Sequence, residues 1–226
     1  MIFRLDDNTI EFPPVQLAEE DGLLAVGGDL LIDRLLMAYS SGIFPWYAKD
    51  TPILWYAPHE RFVLYPHELK VSKSMSKIMN KGEFTFTFNT CFEQVIKQCA
   101  TVDRKDQFGT WIVTEMQEAY IQLHKQGYAH SIEVWQNERL VGGLYGVLIG
   151  RVFCGESMFS SVSNASKAAL IHLTQTFDLE LIDCQIYSEH LASLGAKLVE
   201  SEIFYNLLRT QQYTAHGLQR VLRYSG

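Results

Sequence analysis

The chain has 226 residues, 47% hydrophobic and 20% charged, and carries a net charge of −7. A chain of this length buries roughly 70–75% of the surface its unfolded form exposes, so it folds without disulfide or metal staples. The acidic balance excludes a protein that coats nucleic acid non-specifically and confines any nucleic-acid contact to a narrow basic patch. No apolar run approaches the ~20 residues that span a bilayer. The opening segment MIFRLDDNTI lacks the basic start and apolar stretch of a signal peptide, so a cytoplasmic protein without membrane contact is expected. The four cysteines, Cys91, Cys99, Cys154 and Cys184, form no CxxC pair and read as buried thiols. The seven histidines show no HExxH or HxxxH spacing, so neither metal nor cofactor is expected.

Glycine and proline divide the first sixty residues into short elements: Pro13-Pro14, Gly22, Gly27-Gly28, Gly42, Pro45, Pro52 and Pro58. One helix is predicted there, Leu30 to Ser41, with Asp29 as N-cap and Gly42 as its stop. A small first domain is expected over 1–60 and a larger one over 61–226. In the second, Ser72 to Asn80 reads as a helix and Phe84 to Phe88 as a strand by its alternation. Thr90 with Glu93, and Thr114 with Gln117, have capping-box spacing for two helices, the second ending at Gly127. Strands are predicted over 130–135, 140–149 and 151–159, the first two joined by the turn Gln136-Asn137-Glu138. A helix capped by Ser163 or Asn164, a buried strand 181–186 and two helices, about 188–194 and 202–211, complete the order. Helices, an antiparallel meander, a helix, a strand and final helices make an α+β fold.

Within this frame Asp183-Cys184-Gln185 closes an apolar strand. Side chains alternate along a strand, so Asp183 and Gln185 share one face and Cys184 takes the other. The pair either presents a site or meets solvent at an edge. Glu156, in Gly155-Glu156-Ser157-Met158-Phe159-Ser160, either binds a cation or is an exposed hairpin residue. The glycines of Gly142-Gly143-Leu144-Tyr145-Gly146 lack GxGxxG spacing and mark instead a bulge or close backbone approach. The aromatic stretches 43–47 and 53–56 either line a pocket or fill a core. Lys70, Lys73 and Lys77, with Lys81 nearby, fall at spacings that suit one helix face, either a tRNA grip or a solvated surface.

Taken together, these motifs make the chain resemble the bacterial leucyl/phenylalanyl-tRNA–protein transferase family. The matching residues include Gly22-Leu23-Leu24-Ala25-Val26-Gly27-Gly28-Asp29, Ala38-Tyr39, Gly42-Ile43-Phe44-Pro45-Trp46, Trp55 with Pro58 and Arg61, Gly109-Thr110-Trp111-Ile112, Ala119-Tyr120, Gly155-Glu156-Ser157-Met158-Phe159-Ser160, Asp183-Cys184-Gln185 and Ser193-Leu194-Gly195-Ala196. The resemblance implies a small N-terminal domain and an acetyltransferase-like C-terminal domain with a mainly antiparallel sheet flanked by helices. It implies transfer of Leu or Phe, and less readily Met, from the 3′ aminoacyl-adenosine end of tRNA to proteins beginning with Arg or Lys, which marks them for degradation. Asp183 and Gln185 match the catalytic pair, and Glu156 a carboxylate near the acceptor's basic residue. Trp46, Trp111, Phe153 and Met158, with Ser157 beside them, match the donor pocket. Ser188 stands where the family has Asn, Ser201 where it has Arg, and the segment 55–61 departs from WWSPxPR.

The aminoacyl ester is already activated, so the chemistry needs only to place an amine against it. Gln185 is too weak a base to do more than orient that amine, and orientation reaches effective molarities of about 10⁵–10⁸ M. Asp183 would polarise Gln185 or hold the aminoacyl ammonium. Three other readings compete: a cysteine hydrolase using Cys184, which the strand alternation opposes; a small-molecule acyltransferase, for which no glycine cradle for a coenzyme pyrophosphate is present; and a non-catalytic module that binds aminoacyl-tRNA.

Overall fold

The computed structural model describes residues 2–102, 112–213, 217 and 221–222. The first sixty residues hold, besides the predicted helix, four strands that periodicity does not reveal: β1 (Phe3–Leu5), β2 (Leu23–Gly27), β3 (Phe44–Pro45) and β4 (Leu54–Tyr56), in the order β1-β2-β4-β3. Each has two to five residues, too few to establish a period. The helix between them, α1, spans Ile32–Ser40. Asp29 is not its N-cap. Its carboxylate accepts the Leu31 N–H at 2.9 Å and pairs with Arg34 at 3.1 Å, fixing the approach to the helix instead. Gly42 stops the helix in a left-handed conformation, φ +74°, with no room for a Cβ against the Tyr205 ring.

The larger sheet begins with β5 (Glu60–Leu64), a strand not predicted from the sequence. There follow α2 (Lys73–Asn80), β6 (Thr85–Phe88), α3 (Phe92–Thr101), α4 (Thr114–Lys125), β7 (Ala129–Gln136), β8 (Arg139–Ile149), β9 (Val152–Ser160), α5 (Ala165–Thr176), β10 (Leu181–Gln185), α6 (Glu189–Ser193), β11 (Lys197–Glu200) and α7 (Ser201–Arg209). The described strands form a seven-stranded sheet ordered β11-β5-β10-β9-β8-β7-β6. Every pairing in it is antiparallel except β9 with β10. The meander appears as predicted, and its turn places Asn137 and Glu138 at φ +50° and +62°, the backbone that two-residue hairpins require. One hydrophobic cluster joins the small sheet, α1, α3, α4 and α7 to one face of the large sheet; a second packs α5 on the opposite face.

Two predicted capping boxes are replaced by other partners. The N-cap of α3 is Cys91, without a side-chain cap bond. The N–H groups of Thr90 and Cys91 lie 3.4 and 3.5 Å from the carboxylate of Glu133 on β7, which also accepts from the Thr87 and Ser131 hydroxyls. A buried carboxylate from a neighbouring strand thus meets the positive end of the helix. Thr114 is the first residue of α4 rather than its cap, and the Gln117 side chain donates to the Ile112 carbonyl.

The glycines of β8 do mark close approach. A Cβ on Gly142 would strike the Ala165 Cβ, one on Gly143 the Ile132 carbonyl, and one on Gly146 the Cys154 carbonyl. The β8–β9 register shifts between Tyr145 and Gly146. Gly146→Ala is therefore expected to force β8 from β9 and to destabilise the fold by about 2–4 kcal/mol. Urea denaturation checks this, and a loss below about 1 kcal/mol would contradict the packing described.

Candidate active site

A cleft opens where the only parallel pair of the sheet parts. Pairing of β9 with β10 runs from Val152↔Leu181 to Cys154↔Asp183 and stops there, although β9 continues to Ser160. Beyond it β10 shifts register against β5, and Gln185 takes φ +61°, an uncommon conformation for a residue with a side chain. The resulting cavity of about 700 Å³ is lined by Trp46, Phe153, Glu156, Ser157, Met158, Asp183 and Gln185. That volume falls within the range of small-molecule sites, and the C-terminal edge of parallel strands at a topological break is a common place for one. The residues that the resemblance matches to the catalytic pair, the acceptor carboxylate and the donor pocket line this cavity, except Trp111, which lies outside the described residues.

Asp183 is fully buried and faces Arg61 of β5. Its two oxygens accept from Nε and Nη2 of Arg61 at 2.8 and 2.7 Å, a bidentate pair. The third guanidinium nitrogen donates to the Gly42 carbonyl at 3.0 Å, and the guanidinium carbon lies 4.8 and 4.7 Å from the ring centres of Phe44 and Phe204. Burial lowers the Arg61 pKa, but the neighbouring Asp183 outweighs it and the net shift is upward. Asp183 also accepts the backbone N–H of Gln185 at 2.9 Å. With its oxygens so engaged, Asp183 anchors the strand end rather than offering a lone carboxylate to an ammonium group.

Gln185 donates its amide Nε2–H to Glu156 at 2.8 Å. Glu156 accepts two further hydrogen bonds, from the Tyr39 hydroxyl at 2.6 Å and the Tyr120 hydroxyl at 3.1 Å. The two tyrosine hydroxyls also contact each other. Burial pushes the Glu156 carboxyl up to about 7, against the lowering effect of the two tyrosine hydrogen bonds. Burial, and then the adjacent Glu156, hold both tyrosines well above the ordinary phenol range, so they stay donors.

Cys184 is buried in the hydrophobic cluster that contains α5, and it also borders the cavity. Burial and then the Asp183 charge raise its thiol far above the ordinary range, which removes the thiolate a hydrolase would need. The lysine pattern is corrected: Lys70 precedes α2, its backbone N–H held by the Leu194 carbonyl, and only Lys73 and Lys77 share the helix. Sequence reasoning assigned no role to Arg61, Tyr39 or Tyr120. Each stands in a motif matched to the family, but their partners are 36 to 122 positions away, beyond any local pattern.

The fold and this cleft define an α+β protein with a small N-terminal sheet, a larger mixed one and a pocket lined by buried polar side chains. A family model described as "Leucyl/phenylalanyl-tRNA protein transferase" matches residues 63–209, and that of its N-terminal domain matches 28–59. A leucyl/phenylalanyl-tRNA–protein transferase of Syntrophus aciditrophicus is 58% identical over 203 residues, covering 88% of this chain and 85% of the relative. That of Flavobacterium johnsoniae is 55% identical, covering 88% and 96%, and that of Hydrogenovibrio crunogenus 52% identical, covering 93% and 84%. The chain belongs to the leucyl/phenylalanyl-tRNA–protein transferase family.

The raised Glu156 pKa has a consequence for stability. An acid whose folded pKa lies above its unfolded one binds more protons when folded, so its contribution weakens as pH rises from about 4.5 to about 7 and is fully lost above. Glu156→Gln removes this titration. Relative to the unchanged protein, the variant is expected to gain roughly 2–3 kcal/mol between pH 5 and pH 8. Urea titrations at the two pH values test it; an equal difference at both would show that Glu156 titrates normally.

Proposed function

We propose that this chain transfers Leu or Phe, and less readily Met, from aminoacyl-tRNA to proteins that begin with Arg or Lys, in the cytoplasm, and so marks them for degradation. The observation that carries this reading is Gln185, held at the parting of β9 and β10 with its side chain on the wall of a cavity also lined by Trp46, Phe153 and Met158. The family names of the relatives give the donor and the acceptor class. Among the described residues no helix is long and apolar enough to cross a membrane.

In the reaction the acceptor's α-amine nitrogen attacks the ester carbonyl carbon. The new C–N bond forms, the ester C–O bond breaks, and the ribose oxygen leaves with a proton derived from the amine. No ATP is consumed because the ester is already activated. Gln185 accepts a hydrogen bond from the amine through Oε1 and holds it at attack distance. Asp183 acts one step back, fixing the Gln185 backbone while itself fixed by Arg61. The apolar wall of Phe153 and Met158, with Trp46, takes the transferred side chain and terminal adenosine, and Ser157 lines the same wall; the family resemblance gives Trp111 the same role. A pocket of this kind separates side chains that differ by one methylene by only ~1–3 kcal/mol. It therefore accepts Leu, Phe and Met together and rejects Ile and Val by clash at Cβ. The buried charge of Glu156 favours an acceptor whose first residue is cationic.

Labelled Leu-tRNA with an Arg-starting peptide tests the reading. Gln185→Ala is expected to lower single-turnover transfer about 100-fold or more with donor binding retained, in keeping with the loss of an orienting group. Asp183→Asn should lower transfer and also destabilise the fold, by about 3–5 kcal/mol, because the Arg61 charge is left uncompensated. Near-normal transfer in the Gln185 variant, or equal transfer of Ile and Leu, would refute it.

A further inference from the structure

The amide of Gln185 has two faces, and only one suits the reaction. Its oxygen must meet the attacking amine, since that amine needs an acceptor for its N–H and a free lone pair for the carbonyl. Presenting the NH₂ instead would offer a donor to the lone pair that must attack. Nothing in an isolated glutamine favours one orientation, because oxygen and nitrogen have nearly the same shape.

In this structure the choice is made on the cleft wall, by Glu156. Glu156, 2.8 Å from Gln185 Nε2, is acceptor-only while it is ionised and gains one O–H donor when protonated. An ionised Glu156 therefore draws the NH₂ of Gln185 towards itself and turns Oε1 the other way. A protonated Glu156 can donate, and the amide is then free to turn. Tyr39 from α1 and Tyr120 from α4 each donate to one oxygen of Glu156, and both are buried. We propose that Tyr39 and Tyr120 are positioning residues for the transfer reaction: by holding Glu156 as an acceptor-only carboxylate, they fix Gln185 with its oxygen towards the substrate amine. This rests on the reading of Gln185 given above and extends it to residues that touch no substrate.

Other charged and titratable groups surround the carboxylate. Asp183 on β10 raises the Glu156 pKa, and its own charge is paired with Arg61 of β5. Cys154, on β9 with Glu156, is itself raised well above the thiol range by burial, then by Asp183. Tyr145 on β8 lies beside Tyr120, their ring centres 5.7 Å apart. The tyrosine hydroxyls are the donors to the carboxylate contributed by the small sheet's helix and by α4, and their hydrogen bonds oppose the effect of burial. Removing either moves the ionisation of Glu156 to higher pH.

The test is single-turnover transfer from labelled Phe-tRNA to an Arg-starting peptide, from pH 6 to pH 9, in the unchanged protein and in Tyr39→Phe, Tyr120→Phe, Glu156→Gln and Gln185→Ala. In each Phe variant the acid limb is expected to move up by about one pH unit. The rate then falls about eightfold at pH 6.5 and converges with the unchanged protein at pH 9. The acceptor amine titrates too, but identically with every variant, so the displacement belongs to the enzyme. Glu156→Gln should lose the enzyme's limb altogether and be slow at every pH. Should the Phe variants slow by one factor at all pH values, or should Glu156→Gln keep the limb, the proposal is overturned. If Gln185→Ala is inactive while both Phe variants keep the original profile, this inference alone fails. If Gln185→Ala transfers normally, the reading of Gln185 fails with it.

Discussion

The ion pair between Arg61 and Asp183 joins three parts of the molecule that no local interaction could bring together. Both side chains lie out of contact with water. Two charges in such a place are tolerated only when each finds a full set of partners, because desolvation costs several kcal/mol per ion. Arg61 uses all of its guanidinium nitrogens: two on Asp183 and one on the carbonyl of Gly42 at the end of α1. Asp183 in turn holds the backbone of Gln185. The small sheet's helix, the edge of the large sheet and the last residue of β10 are thereby fixed relative to one another. The left-handed backbone of Gln185 is held by these contacts, as locally strained backbone must be.

Two carboxylates of the site are buried a few residues from one another in the sheet, yet they are treated differently. Asp183 has a cation as its partner. Glu156 has only hydroxyls and an amide, which stabilise a charge less than a guanidinium does. Its carboxyl therefore sits near 7, at a pH where acceptor amines begin to lose their protons. A single site thus contains one fixed charge that acts as an anchor and one responsive charge beside the glutamine. The two roles follow from the partner each side chain meets.

The strands and helices that the sequence reveals are those long enough to show a period or bounded by strong turns. The β7–β8–β9 meander, α2, α4 and α5 belong to this group. Elements of two or three residues, β1, β3 and β4, carry no period and are strands only through their pairing with other strands. Helix caps were legible only where the partner is local. Ser72 caps α2 because its hydroxyl oxygen accepts the N–H of Met75, three residues on, whereas α3 is met by Glu133, brought there by the β6–β7 pairing.

The site divides along the same line. Asp183, Gln185, Glu156 and the aromatic positions were visible as polar or aromatic residues in ordered motifs, and the neighbourhood of Asp183 and Gln185 on β10 is local, whereas Glu156, Phe153 and Met158 stand on β9 and Trp46 beyond β3. Sequence alone thus determined the α+β class, the family and which residues gather at the cleft. It could not determine that Asp183 would be neutralised by Arg61, or that Glu156 would be held by Tyr39 and Tyr120. Those pairings depend on where β5, α1 and α4 dock against the sheet. Burial and partner geometry, which set charge and orientation, exist only once the chain has folded.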